Sequence, residues 1–268
     1  MTAIAMTTFG DLPAICIASP DGAEAIVTLY GAHLISWKTA DQRQRLFCSA
    51  RSALDGSRAI RGGVPFIFPQ FAERGAGMRH GFARVSTWRL DESGLHGEAA
   101  FAVFVLDPSA LAPPVRQAWP HGFALRLRVQ VQSTTLSLAL EVRNTGADAF
   151  AFSAALHTYF LVGAIGHVEI GGLQDGLLRI GDKIDQIFSG VAGPITLAQP
   201  DGALTLTQAG FGDAVVWNPG ALDTAALADM EDDDYLRFVC IEAAQIAPLT
   251  LQPGAVWRGE HQVSAAPD

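Results

Sequence analysis

The sequence predicts an all-β protein, a large antiparallel β-sandwich formed as one domain over residues 1–268. Two observations carry that expectation. Short segments alternate apolar and polar residues with period two, the side-chain period of a half-buried strand. They also follow one another closely, separated by glycine and proline, and a single segment reads as helix. With 268 residues, 49% of them hydrophobic, the chain can bury a sizeable core without metal or disulfides.

The first strand signal is EAIVTLYGAHLISW (24–37), an alternating run in which Gly31 marks a turn or bulge. The apolar run AAFAVFVL (99–106) is far too short to cross a bilayer. FALRLRVQVQ (123–132) alternates strictly, and TTLSLALEVRNTG (134–146) follows as its hairpin partner. HVEIGGL (167–173), GALTLTQ (202–208), DAVVWNP (213–219), FVCIEAA (238–244) and LTLQPGAVWRGEHQV (249–263) continue the series. Only PGALDTAALADM (219–230) reads as helix, and it is short. No linker, repeat or low-complexity block divides the chain.

The charge is uneven. Net charge is −9, which disfavours nucleic acid and anionic membranes as partners. Yet seven arginines between Arg51 and Arg89 face only Asp55 and Glu73, so this segment is +5 and the rest −14. A cationic island in an acidic chain points to a small anionic ligand, although each arginine alone also reads as an ordinary surface residue. Cys16, Cys48 and Cys240 form no CxxC pair and read as small buried hydrophobes of a reducing, cytoplasmic compartment. The N-terminus MTAIAMTTFG lacks the basic and apolar blocks of a signal peptide, so a soluble protein is expected.

No HExxH, P-loop, nucleotide-binding glycine motif or nucleophile elbow is present, and the seven histidines lack metal-ligand spacing. Two polar residues stand out in apolar strands. Glu242 follows four apolar residues in RFVCIEAAQ, where a carboxylate must be paired, exposed on one face, or tuned for a task. His157 in FSAALHTYFLV reads either as a core histidine or as an acid–base group.

Five blocks, RLFCSARSALDGSRAIRGGVPFIFPQF, HGFARVSTW, ALHTYF, VVWNPG and FVCIEAA, resemble the hexose-6-phosphate mutarotases (glucose-6-phosphate 1-epimerases) of the aldose 1-epimerase superfamily. The resemblance runs in order from about residue 24 to 260. It implies a β-sandwich of galactose-mutarotase type and interconversion of the α and β anomers of a hexose 6-phosphate, with no cofactor and no metal. By the same resemblance His157 matches the general acid, Glu242 the general base, and Arg61 and Arg84 substrate-binding arginines. Asp182 in GDKI matches an acidic substrate contact, although Ile180 stands where the family usually has tyrosine. Arg79 replaces a usual glutamine before His80-Gly81, which makes the anion site more cationic. His80 is a further candidate contact to a sugar hydroxyl.

The residue types suit that chemistry. Mutarotation needs a base for the C1 hydroxyl proton and an acid for the ring oxygen, each contributing about 10²–10⁴-fold. A 6-phosphate lies far from C1, so arginines supply orientation without touching the reacting bonds, on a backbone that Gly62-Gly63 lets turn close to the ligand and that Pro65 and Pro69 stiffen. Rival expectations are an epimerase of unphosphorylated aldoses, a non-catalytic sugar-phosphate binding module, and a β-sandwich carbohydrate-binding domain. The arginine cluster counts against the first and third, and the presence of both His157 and Glu242 against the second. The oligomeric state stays open, with a monomer compatible.

Overall fold

A computed structural model describes residues 3–266. The strands begin with β1 (Ile4–Phe9), β2 (Leu12–Ala18), β3 (Glu24–Thr28), β4 (His33–Lys38), β5 (Phe66–Ile67), β6 (Arg89–His96) and β7 (Ala99–Leu106). Next come β8 (Phe123–Gln132), β9 (Thr135–Asn144), β10 (Phe150–Leu156), β11 (Tyr159–Leu161), β12 (Glu169–Gly171) and β13 (Leu178–Arg179). The last are β14 (Ile184–Ser189), β15 (Ile195–Gln199), β16 (Gly202–Ala209), β17 (Asp213–Asn218), β18 (Phe238–Leu251) and β19 (Val256–Ala265). Two short helices, α1 (Pro113–Ala118) and α2 (Gly220–Ala226), complete the regular structure with a few 3₁₀ turns.

The strands form three antiparallel sheets. The first runs β1-β2-β3-β4. A six-stranded sheet runs β14-β17-β18-β10-β5, with β11 also paired to β18, and a nine-stranded sheet runs β13-β12-β15-β16-β19-β9-β8-β7-β6. One apolar cluster draws on all three, including Ile15 and Val27, Leu127 and Leu138, and Phe152, Val216 and Ile241. Strict alternation in β8 and β9 supplies one wall: Leu125, Leu127 and Val129 point inward with Leu138 and Leu140, while Arg126 and Arg128 point away.

The expected β8–β9 hairpin is present, with Gln132 opposite Thr135. Gly31 (φ 78°) and Ala32 (φ 43°) make the expected turn between β3 and β4, and the bulge itself lies between Ile26 and Val27. The expected helix is shorter than its pattern, ending at Ala226. FVCIEAA extends without a break to Leu251, so the expected last strand is divided between β18 and β19. The apolar run 99–106 is β7, and among the described residues no helix is long and apolar enough to cross a membrane.

His261 on β19 is fully buried; its Nδ1–H donates to the Thr207 carbonyl at 3.1 Å and its Nε2 has no partner. Burial lowers its pKa from 6.5 to about 4. Between those values the unfolded chain takes a proton that the folded chain refuses, so stability falls as pH drops, by roughly 1.4 kcal/mol per pH unit. His261→Leu is expected to flatten this slope between pH 6.5 and 4 in urea unfolding. An unchanged slope would assign the acid sensitivity to other groups.

The six-stranded sheet positions the site. On β18, Val239, Ile241 and Ala243 face the shared core, so Phe238, Cys240, Glu242 and Ala244 face the opposite side. The same alternation turns Asp185 and Ile187 of β14, Val215 and Trp217 of β17 and Tyr159 of β11 to that second face.

Candidate active site

Glu242 is centred on that face, opposite Val215 of β17 and 1% exposed. The β10–β18 register pairs Leu156 with Ala243, so the chain leaving β10 presents His157 to Glu242. The His157 backbone N–H is held by the Pro65 carbonyl at 3.1 Å. Its imidazole stacks on Tyr159 with centroids 5.0 Å apart and meets Trp217 and His80 edge-on. Nε2 of His157 lies 3.3 Å from Oε1 of Glu242. The remaining polar atoms of the pair, His157 Nδ1 and Glu242 Oε2, are buried without partners.

Both groups are pushed toward neutrality. Burial, with Asp185 nearby, raises the Glu242 pKa well above 4.5. Burial, with His80, Arg84 and Arg61 nearby, holds His157 well below 6.5. At 3.3 Å the two are close enough to hold one proton between them and so to titrate together.

The couple lies at the bottom of a cleft of about 730 Å³. One end is built by the loops after β4 and β5. Arg61 donates from Nε to Asp229 at 3.2 Å and from Nη1 to the Tyr159 hydroxyl at 3.2 Å. Burial alone would weaken its charge, but Tyr159 and Asp229 more than offset that and raise its pKa. Arg84 is different. Among the described residues it forms no ion pair: Nη2 donates to the Arg79 carbonyl at 3.1 Å, and its Nε is buried with no acceptor. Burial, together with Arg61 and Arg79, lowers its pKa to about 10, which still leaves it charged at neutral pH. Arg79 is exposed and pairs with exposed Glu73 at 3.3 Å.

His80 sits between the arginines and the couple. Its Nδ1 accepts the Ala72 N–H at 3.3 Å, and its pKa is about 3, lowered by burial and then by Arg84, Arg79 and Arg61. The neutral ring therefore carries its proton on Nε2, a donor. Gly81 (φ 66°) makes the turn possible, since a Cβ there would lie 2.0 Å from the Phe68 carbonyl oxygen.

His157, Glu242, Arg61, Arg79, Arg84 and His80, separated widely in sequence, thus line one cleft. Asp182 does not line it. That residue precedes β14 and lies against the start of α2, its Oδ1 2.5 Å from where a Gly220 Cβ would stand. Alternation beginning at Ile184 brings Asp185 to the cleft instead, next to Lys183, which bridges to Asp223 at 2.6 Å. Tyr159, Trp217, Asp185 and Asp229 are cleft residues the sequence reading passes over. Tyr159 had a signal, since it shares a face with His157 at a spacing of two; Asp229 had none. Among the described residues no three His, Cys, Asp or Glu side chains are grouped to hold a metal ion.

The family model for aldose 1-epimerase matches residues 13–182. A protein of Cenchrus ciliaris provisionally named glucose-6-phosphate 1-epimerase is 33% identical, the match covering 94% of this chain and 87% of that protein. A protein of Salmonella typhimurium with the same provisional name is 31% identical over 87% of this chain and 83% of its own. A crystal structure from Salmonella typhimurium, provisionally described as a mutarotase, superposes with a TM-score of 0.88 at 27% identity, covering 99% of this chain and 94% of the other. Galactose 1-epimerase of Lactobacillus acidophilus shares the fold at a TM-score of 0.71 and 14% identity, covering 99% of both chains. With His157 and Glu242 buried together on one face of a β-sandwich, the chain belongs to the aldose 1-epimerase family.

Proposed function

We propose that the protein interconverts the α and β anomers of a hexose 6-phosphate, with Glu242 as general base and His157 as general acid. One observation carries this reading: a cleft that holds a buried His157–Glu242 couple also holds Arg84, a cation that no carboxylate among the described residues neutralises. A phosphate dianion supplies the missing partner. The names of the Cenchrus ciliaris and Salmonella typhimurium relatives support the same substrate class.

Glu242 takes the proton of the C1 hydroxyl while His157 protonates the ring oxygen, and the C1–O5 bond breaks. Rotation about C1–C2 in the open aldehyde exposes its other face, and closure proceeds with the two roles exchanged. The empty couple and the reactive couple hold the same number of protons. They differ only in whether the shared proton sits on Glu242 or on His157. A phosphate at Arg84 and Arg79 offsets the cations that depress His157, and so favours imidazolium facing carboxylate. Neutral His80 donates from Nε2 to a sugar hydroxyl, and Asp185 accepts from another. Asp182, against the start of α2 and off the cleft lining, is given no sugar contact. Three free thiols support a reducing, cytoplasmic setting.

The test is NMR exchange between the anomers of glucose 6-phosphate, and of glucose, with and without protein. Acceleration of neither sugar would sink the reading. Acceleration of both equally would restore the unphosphorylated-aldose alternative. His157→Asn is expected to lose about 10²-fold in kcat, because an amide cannot deliver the proton to O5. Activity of the wild type should follow a bell-shaped pH profile. It should fall on the acid side as the couple takes up a second proton and on the basic side as it loses the shared one, and the raised pKa of Glu242 belongs to that basic limb. Full kcat in His157→Asn at every pH would return this histidine to a packing role.

A further inference from the structure

His33 opens β4 and is completely buried beneath the loop that delivers Arg61. That loop is bound backbone group by backbone group. The Arg61 N–H donates to Ser52 Oγ at 2.8 Å, and its carbonyl accepts the Ser49 N–H at 3.0 Å. The Gly63 N–H donates to the Phe47 carbonyl at 2.7 Å, and the Gly63 carbonyl accepts the Tyr159 N–H at 2.9 Å. The Gly62 carbonyl is taken by His33, whose Nε2 lies 2.7 Å away. A carbonyl can only accept, so Nε2 carries the proton, and Nδ1 is then a buried lone pair with no donor.

The glycines are what allow so close an approach. Gly62 has φ 115° and Gly63 φ 59°, and a Cβ on Gly63 would lie 2.9 Å from His33 Nε2. The backbone therefore packs directly against the Nε2 edge of the imidazole. A half-satisfied buried ring is a poor device for stability alone, since its empty lone pair has lost water without replacement. It is a good device for fixing one carbonyl, and with it the residue immediately before. That residue is Arg61, whose guanidinium must still meet Asp229 and Tyr159.

We propose that His33 is a positioning residue acting through Arg61: by binding the Gly62 carbonyl from below, it sets the height at which the guanidinium enters the anion end of the cleft. The inference rests on the phosphate reading above and names a further residue on which that site depends. His33 touches neither the sugar nor the reacting couple, so its effect belongs in substrate binding. Burial, offset only in part by the Gly62 bond, lowers its pKa to about 4 and keeps the ring neutral and the donor in place at physiological pH.

Steady-state anomer exchange with glucose 6-phosphate tests it through a pair of variants. His33→Leu is expected to raise KM by about 10-fold or more, with kcat changed much less. His33→Gln, whose amide reaches the Gly62 carbonyl, is expected to restore KM to near the wild-type value. In the wild type, the ¹⁵N-coupled Nε2–H signal of His33 should shift as inorganic phosphate fills the cleft, a readout that needs no variant to fold. Equal losses in the Leu and Gln variants, or an Nε2–H signal unmoved at saturating phosphate, would overturn the inference while the preference for phosphorylated sugar stood. A wild type with no such preference would overturn the phosphate reading and this inference together.

Discussion

Glu242→Gln is expected to keep the fold and the ability to bind a hexose 6-phosphate while losing about 10²–10⁴-fold in kcat. The side chain is 1% exposed, and one carboxylate oxygen has no protein partner, so the amide replaces it without a new clash. What disappears is the proton acceptor. The raised pKa of Glu242 makes its carboxylate a stronger base than an exposed one, which puts the loss toward the larger end. Burying a carboxylate beside Asp185 also costs stability, so the variant should melt no lower than the wild type. The decisive measurement is saturation transfer between the anomers under equal ligand occupancy. Near wild-type exchange in Glu242→Gln would leave the carboxylate a purely structural group.

Arg84→Ala should erase most of the preference for glucose 6-phosphate over glucose. A charge-assisted hydrogen bond contributes roughly 1.5–3 kcal/mol, so losing two from one guanidinium amounts to about 10²–10⁴-fold in kcat/KM, allowing for non-additivity. The reaction of glucose should fall far less, because the phosphate end lies away from C1. Arg84 is the sharper choice over Arg61, whose charge is already matched by Asp229 at 3.2 Å. A partly buried cation with no carboxylate partner is a cost to the fold, so this variant should melt at the same or a higher temperature. Raising salt should also erode the wild-type preference, as phosphate binding is partly screened. Equal losses for both sugars would make Arg84 a support of the fold.

Much of this site was legible residue by residue and little of it as geometry. Glu242 was visible because a carboxylate between Ile241 and Ala243 contradicts an apolar strand, and strands of period two assign such a residue to one face. His157 was weaker, since a histidine between Leu156 and Thr158 has several ordinary uses. Only the β10–β18 register shows that it meets Glu242. Asp182 and Asp185 lie three residues apart, and the sequence does not say where β14 begins. That boundary, at Ile184, decides which of them faces the cleft. β10 itself is hard to see, because all of FAFSAAL except Ala151 is buried and the segment is apolar or small throughout.

By itself the sequence determined the class of the fold and the chemical inventory. Alternation every second residue dictates sheets, turn glycines and prolines dictate their ends, and a cluster of arginines in an acidic chain calls for an anion. These are local properties, carried by neighbours along the chain. Which arginine already has a carboxylate beside it is not local. Arg61 and Arg84 look alike in sequence, and only folding brings Asp229 across 168 residues to neutralise one and leaves the other without a carboxylate among the described residues. The same holds for His157 and Glu242, whose proton affinities arise from burial and from groups on three other segments. Electrostatics acts through space, and distance in space is what the tertiary structure alone decides.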